Sequence, residues 1–283
     1  MTIDALLQQL SADFAPISDS PRLDAELLLC QVLARPRSYL YAWPERVLDS
    51  AQQMLLAQLA GRRSQGEPIA HILGQREFWS LPLKVNPATL IPRPETELLV
   101  EAALARIPSD AAWALADLGT GSGAIALAVA SERPLCRVSA VDRSAAALAI
   151  AEENAVQLGL ANLDFRQGDW FEPLQGQRFA MLLSNPPYIR SDDPHLQQGD
   201  LRFEPLSALA SGADGLDDIR RLITEAPAHL EPGGWLMLEH GYDQGEAVLA
   251  LLEKRGFRST ATLTDLQGHG RVSIGQAPPT PNP

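Results

Sequence analysis

A glycine-rich turn between an apolar strand and an apolar helix constrains the fold of this chain more than any other feature. The turn is Asp117-Leu118-Gly119-Thr120-Gly121-Ser122-Gly123, and it lies between the apolar stretches Ala112–Ala116 and Ala124–Ala130. Glycines let a backbone approach a ligand closely, and the N-terminus of the helix that follows attracts an anionic group. The sequence therefore predicts a nucleotide-like ligand at the end of the first strand of a parallel sheet.

Strands and helices alternate after this turn, which is typical of an α/β layer architecture. The run Phe179–Leu183 is continuously apolar, as expected of a strand buried on both faces of a parallel sheet. Further strands are predicted at Arg137–Asp142, Leu163–Gln167, Trp235–Glu239, Thr260–Leu263 and Val272–Ile274, with helices at Ala145–Leu158, Ile219–Leu230 and Glu246–Arg255.

The residues before this region have a different organisation. Residues 1–70 carry apolar side chains at helical spacing and predict a small helical bundle, in which Ser20 caps a helix that starts at Pro21. Residues 71–96 predict a β-hairpin connector whose alternating pattern starts at Ala70, residues 97–276 a catalytic domain, and residues 277–283 a disordered, proline-rich tail. The bundle is interpreted either as a docking domain for a macromolecular substrate or as a stabilising appendage.

Composition narrows the classes of partner. The 283 residues are 46% hydrophobic, and the formal net charge of −12 argues against a wide nucleic-acid surface and favours a protein partner. A local basic patch would not be visible in this average. The two cysteines are far apart and in apolar surroundings, which predicts buried thiols in a reducing compartment, and no metal-binding spacing is present. The N-terminus does not resemble a signal peptide and the apolar stretches are too short to span a bilayer, so we expect a cytoplasmic protein.

A second motif, Asn185-Pro186-Pro187-Tyr188, follows the buried strand. Prolines have no backbone N–H and exclude helix, so the loop leaves carbonyl groups free to accept hydrogen bonds. The side-chain oxygen of Asn185 and the carbonyl of Pro186 could accept both N–H bonds of a planar NH2 group and aim its lone pair at an electrophile, while Tyr188 packs on the flat group. The alternative is that the motif is an ordinary turn.

The glycine-rich turn alone does not identify the cofactor. Gly119, Gly121 and Ala124 also match the relaxed dinucleotide-binding fingerprint, and Asp142 lies 19 positions after Gly123 (142 − 123), suitable for binding ribose hydroxyls in either case. NAD and S-adenosylmethionine therefore both fit this part of the chain.

Three features favour S-adenosylmethionine. The Asp117 carboxylate could hold the ammonium group of a methionine moiety, and Asp169 with Trp170 offers an acceptor and a ring to an adenine. The Asn185–Tyr188 loop suits methyl transfer to nitrogen. The alternatives are that Asp117 caps a turn and that Trp170 packs in the core.

Four motifs together resemble the HemK/PrmC family of release factor glutamine methyltransferases. They are Asp117–Gly123, Asn185–Tyr188, Ile91-Pro92-Arg93-Pro94-Glu95-Thr96-Glu97 and Arg202-Phe203-Glu204-Pro205. The first is shared with most class I methyltransferases and the second with several amino-methylating families, so the proline-rich segment and the arrangement are the specific parts. The resemblance covers nearly the whole chain, with Asp265–Arg271 matching only loosely.

This resemblance implies a fold, a cofactor and a substrate. The fold is a class I S-adenosylmethionine-dependent methyltransferase with a Rossmann-like seven-stranded sheet and a reversed last strand. The methyl acceptor is the glutamine of the Gly-Gly-Gln motif in bacterial peptide chain release factors. The cofactor-binding residues would be Asp117, Gly119, Thr120, Gly121, Ser122, Gly123, Asp142, Asp169, Trp170 and Asn185; the substrate-binding residues Asn185, Pro186, Pro187 and Tyr188; and the catalytic residues Asn185, Pro186 and Tyr188.

The expected reaction is in-line displacement at the sulfonium methyl by the amide nitrogen, with Asn185 orienting the amide and the proton leaving to solvent. No metal is required. Two alternatives remain: an amino-methyltransferase acting on adenine or guanine in nucleic acid, and a non-catalytic binding factor. Arg93 and Glu95 could face a substrate channel, but we expect them to pair with each other around the two prolines, and the roles of Glu204 and Arg271 are left open.

Overall fold

The computed structural model describes residues 1–278, and the chain divides into two compact units. One unit combines Met1–Gln75 with the distant segment Pro194–Phe203, and the other contains Arg76–Asp193 and the chain from Glu204 onward. Membership of Pro194–Phe203 in the first unit is not evident from the sequence.

The first unit is helical. Its helices are α1 (Ile3–Phe14), α2 (Pro21–Leu33), α3 (Arg37–Ala42), α4 (Ser50–Ser64) and α5 (Ile69–Leu73). Apolar side chains of these helices, among them Phe14, Leu28 and Leu56, form a core of their own. Helix α2 starts at Pro21 as predicted, but the Ser20 side chain forms no capping hydrogen bond.

The predicted hairpin starts later than the pattern indicated. Residues 69–73 form helix α5, which Gly74 ends with a φ of 70°. This left-handed conformation is readily available to glycine and is typical of the residue that ends a helix. The hairpin consists of β1 (Gln75–Phe78) and β2 (Leu81–Lys84), followed by helix α6 (Glu97–Leu104).

A seven-stranded sheet forms the centre of the second unit in the described chain. Its strands are β3 (Ala114–Leu118), β4 (Arg137–Asp142), β5 (Leu163–Gln167), β6 (Phe179–Ser184), β7 (Leu230–Glu239), β8 (Arg258–Thr264) and β9 (Gly270–Gln276). They lie in the order β5-β4-β3-β6-β7-β9-β8, and the pairs from β5 to β7 are parallel, whereas β9 is antiparallel to both neighbours. The predicted α/β fold with a reversed last strand is confirmed.

Helices cover both faces of this sheet. They are α6, α7 (Ala124–Glu132), α8 (Ala145–Leu158), α9 (Asp217–His229) and α10 (Gly245–Arg255). Successive side chains of a strand point to opposite faces. Leu115 accordingly packs in the core cluster with α6 and α7, whereas Ala116 packs in the cluster with α9 and α10.

Two predicted boundaries change at the carboxyl end of the chain. Strand β7 starts at Leu230 rather than Trp235, because Leu230 pairs with Phe179 across a register irregularity. Ala277, assigned to a disordered tail, is buried and donates a 2.7 Å hydrogen bond to the Gly234 carbonyl. Residues 279–283, the rest of that predicted tail, lie outside the described residues.

The two cysteines differ in burial. Cys136 is buried, but Cys30 is only half-buried, because it borders the helical core rather than filling it. Within residues 1–278, no helix combines the length and the apolar character needed to cross a membrane.

Candidate active site

A cavity of about 380 Å³ lies at the carboxyl ends of β3 to β6. This volume falls within the range of about 300–1,000 Å³ typical of small-molecule sites. Parallel strands bring their carboxyl ends to one edge of the sheet, which collects residues from separate loops. The predicted site residues in its lining are Gly119, Gly121, Asp142, Asp169, Trp170, Asn185 and Pro187.

The glycine-rich turn forms one wall of the cavity. The amides of Gly119 and Thr120 each donate a 2.9 Å hydrogen bond to the Val141 carbonyl, which ties the end of β3 to the end of β4. Gly119 has a φ of 76°, and a Cβ atom at this position would lie 3.1 Å from the Trp170 ring. Both the backbone conformation and the close aromatic ring therefore favour glycine.

Asp142 organises this wall through its carboxylate. Its Oδ2 accepts a 2.9 Å hydrogen bond from the Gly121 amide, and its Oδ1 accepts a 2.8 Å bond from the Ser144 amide. Each carboxylate oxygen has a second acceptor position, so both could also accept a ligand hydroxyl. The predicted ribose-binding role of Asp142 is compatible with this geometry.

Asp117 lies behind the turn and is fully buried. Its Oδ2 accepts hydrogen bonds from the Thr120 hydroxyl at 2.6 Å and the Ala126 amide at 3.2 Å. Its Oδ1 has no hydrogen-bond partner among the described residues. Burial raises the pKa of Asp117 to about 7, against the lowering effect of the two hydrogen bonds. One oxygen thus holds the turn, and the contact of the other with a cofactor stays a prediction.

Four predicted cofactor residues are not in the cavity lining: Asp117, described above, and Thr120, Ser122 and Gly123. Thr120 and Ser122 are buried, and the Ser122 carbonyl accepts a 2.9 Å hydrogen bond from the Asn154 side chain. Gly123 precedes α7 with a φ of 87°, and a Cβ atom there would lie 2.8 Å from the Leu127 side chain. These residues shape the turn, and their contact with a cofactor stays a prediction.

Asp169 and Trp170 also line the cavity. The Asp169 carboxylate pairs with Arg221 of α9. Trp170 has a φ of 53°, and its indole N–H donates to Asp218 Oδ1 at 3.3 Å. Asp218 also accepts a 2.7 Å bond from the Ser211 hydroxyl and lines the cavity. No sequence pattern pointed to Asp218, because its role depends on the position of α9 relative to the end of β5.

The Asn185 side chain has a defined orientation at the end of β6. Its Nδ2 donates a 3.1 Å hydrogen bond to the Thr96 hydroxyl, which leaves Oδ1 as the acceptor atom of the amide. The preceding Ser184 is buried and donates a 2.6 Å hydrogen bond to the Leu118 carbonyl. Within the described chain, the Pro186 carbonyl accepts no hydrogen bond. Asn185 Oδ1 thus remains as an acceptor atom of this loop, and the role predicted for Asn185 and Pro186 as paired acceptors stays a prediction.

Tyr188 holds the far end of this loop. Its backbone carbonyl accepts a 3.0 Å hydrogen bond from the Gln244 side chain, and its hydroxyl donates to Glu239 Oε1 at 3.3 Å. Burial raises the pKa of Tyr188, so the phenol stays protonated at neutral pH. Neither Tyr188 nor Pro186 is in the cavity lining, and their catalytic roles stay predictions.

The expected pairing of Arg93 with Glu95 is wrong. Arg93 Nη2 instead contacts Glu204 Oε1 at 2.6 Å, and the Glu204 side chain is completely buried. Arg93 has an extended backbone because it precedes a proline, whereas Pro94–Thr96 form a 3₁₀ turn. This ion pair joins the two proline-containing motifs, and Arg271 forms a separate ion pair with Asp265 at 3.1 Å.

Residues 1–278 contain no group of three or more His, Cys, Asp or Glu side chains suited to hold a metal ion.

Comparisons with known proteins place this architecture in a family. Residues 5–74 match the PrmC N-terminal domain and residues 94–199 the methyltransferase small domain. A release factor glutamine methyltransferase from Vibrio cholerae is 53% identical over 281 residues, covering 98% of this chain and 97% of the relative. The chain belongs to the release factor glutamine methyltransferase family. A second member of this family, from Pseudomonas aeruginosa, is 56% identical over 261 residues, covering 92% of this chain and 94% of the relative.

Solved structures support the same fold. A methyltransferase from Pyrococcus furiosus superposes with a TM-score of 0.54 at 18% identity, covering 78% of this chain and 99% of that one. A 16S rRNA methyltransferase from T. thermophilus, in complex with AdoMet and guanosine, gives a TM-score of 0.53 at 20% identity, covering 72% of this chain and 49% of that one. At these identities the likeness establishes the fold alone, and the family assignment depends on the full-length relatives.

Proposed function

We propose that this chain transfers a methyl group from S-adenosylmethionine to the side-chain amide nitrogen of the glutamine in the Gly-Gly-Gln motif of peptide chain release factors. The orientation of Asn185 is the observation that carries this proposal. With Nδ2 bonded to Thr96, the free Oδ1 and the carbonyl of Pro186 are two acceptors in one loop. A primary amide has two N–H bonds to donate, so it matches this pair.

The cavity lining, together with Asp117 behind the glycine-rich turn, fits S-adenosylmethionine. The unpartnered Oδ1 of buried Asp117 would accept from the ammonium group of its methionine moiety. Asp142 would bind the ribose hydroxyls, and the Trp170 ring, which lines the cavity beside Gly119, would contact the adenine. When bound, the cofactor supplies a methyl group activated by a sulfonium centre.

The main contribution of the chain to catalysis would be to position the substrate amide. An amide nitrogen is a poor nucleophile because its lone pair is delocalised into the carbonyl group. Hydrogen bonds from both N–H groups to Asn185 Oδ1 and Pro186 O would fix the plane of the substrate amide. The nitrogen lone pair would then point towards the methyl group of the cofactor. Orientation of this kind can contribute roughly 7–11 kcal/mol in well-aligned reactions. Asn185 is not basic at neutral pH, so the proton lost by nitrogen passes to solvent.

The proposed partner is a release factor, and no stable nucleic-acid binding is expected. The net charge of −12 supports this choice, since a nucleic-acid enzyme needs basic surface to bind phosphates. Because release factors act on the ribosome, we place the enzyme in the cytoplasm. An adenine or guanine amine would suit the same loop chemically, so nucleic acid belongs in the test as a competing acceptor.

Transfer of a labelled methyl group from S-adenosylmethionine tests the proposal. We expect label on purified release factor, none on a factor whose Gly-Gly-Gln glutamine is replaced by alanine, and none on total RNA or DNA. Asn185→Ala removes the side-chain acceptor and should lower kcat about a hundredfold, since small misplacements of a reacting group can cost that much.

The binding of S-adenosylmethionine by Asn185→Ala, measured by calorimetry, distinguishes lost positioning from a damaged fold. Retained binding with lost transfer supports the orienting role. Label on nucleic acid would instead assign the activity to an amino-methyltransferase of bases, and no transfer to any acceptor with intact release factor binding would indicate a non-catalytic factor.

A further inference from the structure

Glu239 is a buried carboxyl group that the chemistry above does not use. It is the last residue of β7, the strand next to β6, and it is 1% exposed. Its Oε2 has no hydrogen-bond partner in the part of the chain that the structure describes. An incompletely paired carboxyl group in a protein core is costly, so its presence beside the catalytic loop requires a reason.

Two side chains of the catalytic region converge on this carboxyl group. The Tyr188 hydroxyl donates to Glu239 Oε1 at 3.3 Å. The Thr96 side chain lies beside the same carboxyl group and lowers its pKa as a hydrogen-bond donor. Thr96 is buried and accepts the Nδ2–H of Asn185 at 3.1 Å. Because Thr96 lowers the pKa of Glu239, its hydroxyl proton is directed to the carboxyl group, while its oxygen accepts from Asn185. The hydrogen bonds therefore run from Asn185 through Thr96 to Glu239, with Tyr188 joining at the same carboxyl group.

The direction of these bonds matters because a carboxamide has two chemically different ends. If the Asn185 amide turned over, its NH2 group would replace the acceptor oxygen and would face the N–H bonds of the substrate amide. A Thr96 hydroxyl that donates to Glu239 can only accept from Asn185, which excludes the turned-over amide. A loss of the carboxylate acceptor would free Thr96 to donate to Asn185 Oδ1 instead.

We infer that Glu239 is a positioning residue for methyl transfer: through Thr96 it sets the orientation of the Asn185 amide, and through Tyr188 it anchors the other end of the same loop. The inference rests on the proposed function and deepens it, because it names the group that fixes the substrate-orienting acceptor.

The surroundings of Glu239 make this effect dependent on pH. Burial raises the pKa of Glu239 to about 7; the Thr96 and Tyr188 hydrogen bonds and the charge of Arg271 oppose the rise, and Glu95 adds to it. The neighbouring His240 ring is bonded to Gly241 and Ser273 instead. An ionised carboxylate is a stronger acceptor than a carboxylic acid. The transfer rate should therefore rise with pH through about 7 as Glu239 ionises.

The test compares Glu239→Gln with the wild-type chain in methyl transfer to release factor. Glutamine keeps the size of the side chain and one acceptor but cannot ionise. We expect kcat at pH 8 to fall about tenfold, as for the loss of a charge-assisted hydrogen bond, and the rise in rate around pH 7 to disappear. The affinity for S-adenosylmethionine, measured by calorimetry, should stay within about threefold of the wild-type value.

A pair of Thr96 variants provides the matched control. Thr96→Val removes the hydroxyl and should lower kcat to a similar degree, whereas Thr96→Ser keeps the hydroxyl and should retain most of the rate. In the double variant Glu239→Gln with Thr96→Val, the two losses should not add, because both act through the Asn185 amide.

Each negative result has a separate meaning. Absence of transfer by the wild-type chain would refute the proposed function itself. An active wild-type chain together with unchanged kcat and pH dependence in Glu239→Gln would overturn the positioning role. A rise in rate around pH 7 that persists in Glu239→Gln and vanishes in Asp117→Asn would assign the titration to the other buried carboxyl group and would equally overturn it. A parallel loss of thermal stability and cofactor affinity without a change in pH profile would reduce Glu239 to a structural residue.

Discussion

At the residue scale, two buried carboxyl groups lie under the catalytic region, and each has one oxygen without a partner in the described chain. Asp117 lies behind the glycine-rich turn and Glu239 behind the Asn185–Tyr188 loop. Burial raises the pKa of both to about 7. Proteins commonly accept such unfavourable groups at functional sites at the expense of stability.

The variant Asp117→Asn tests whether the buried carboxyl group lowers the free energy of unfolding. The pKa of Asp117 is higher in the folded state than in the unfolded chain, so protonation of Asp117 stabilises the folded state. This stabilisation is complete below about pH 4 and is lost as the pH rises to about 7. Asparagine can still accept from Thr120 and Ala126 but carries no charge at any pH. In urea denaturation without cofactor, Asp117→Asn should gain about 1–3 kcal/mol over the wild-type chain at pH 8 and should lose this gain by pH 4. An equal difference at both pH values would contradict the prediction.

At the element scale, one arginine holds several parts of the helical unit together. Arg63 of α4 is 4% exposed and contacts Asp24 Oδ2 of α2 at 2.8 Å. Its guanidinium also donates to the carbonyls of Ile17 and Glu67 and contacts Asp200 at 3.3 Å. Five donors in a fixed plane allow arginine to serve these partners at once. A single side chain thus links α2, α4 and the distant segment, in addition to the apolar core that α2 and α4 share.

Arg63→Met should destabilise the helical unit by about 3–5 kcal/mol, because it leaves the buried Asp24 carboxylate without its partner. The neighbouring Arg62 offers a matched control, since its pair with Glu67 is considerably more exposed. Arg62→Met should cost less than about 1 kcal/mol. Hydrogen exchange of the α2 and α4 amides measures both; similar losses of protection in the two variants would show that burial does not govern the contribution.

The elements themselves could largely be predicted from the sequence, whereas several contacts between them could not. Apolar runs and helical spacing give β6 and α8 almost to the residue, because these patterns are local. The contact of Arg93 with Glu204 and that of Asn185 with Thr96 join residues 111 and 89 positions apart. Such contacts depend on strand order and loop path, which no local pattern encodes. The Asn185–Tyr188 loop at the end of β6 was therefore predictable, but the hydrogen bond from Asn185 to Thr96 was not.

At the scale of the whole molecule, the helical unit has a core of its own and matches a separate family domain. We propose that it docks the release factor, while the sheet unit binds the cofactor and performs the chemistry. A chain that lacks residues 1–74 should therefore bind S-adenosylmethionine with nearly unchanged affinity and bind release factor at least tenfold more weakly. Calorimetry with each ligand measures both; loss of cofactor affinity with retained release factor binding would reverse the assignment.

The discontinuous helical unit also has a consequence for protein synthesis. Arg63 and its partner Asp200 are 137 residues apart in the chain. At about 5–20 residues per second, a ribosome needs roughly 7–27 s to add that many residues. The five helices emerge first but lack their last segment until strands β3 to β6 have been made. The nascent chain thus completes its first unit only after much of its second has left the exit tunnel, so the order of folding does not simply follow the order of translation.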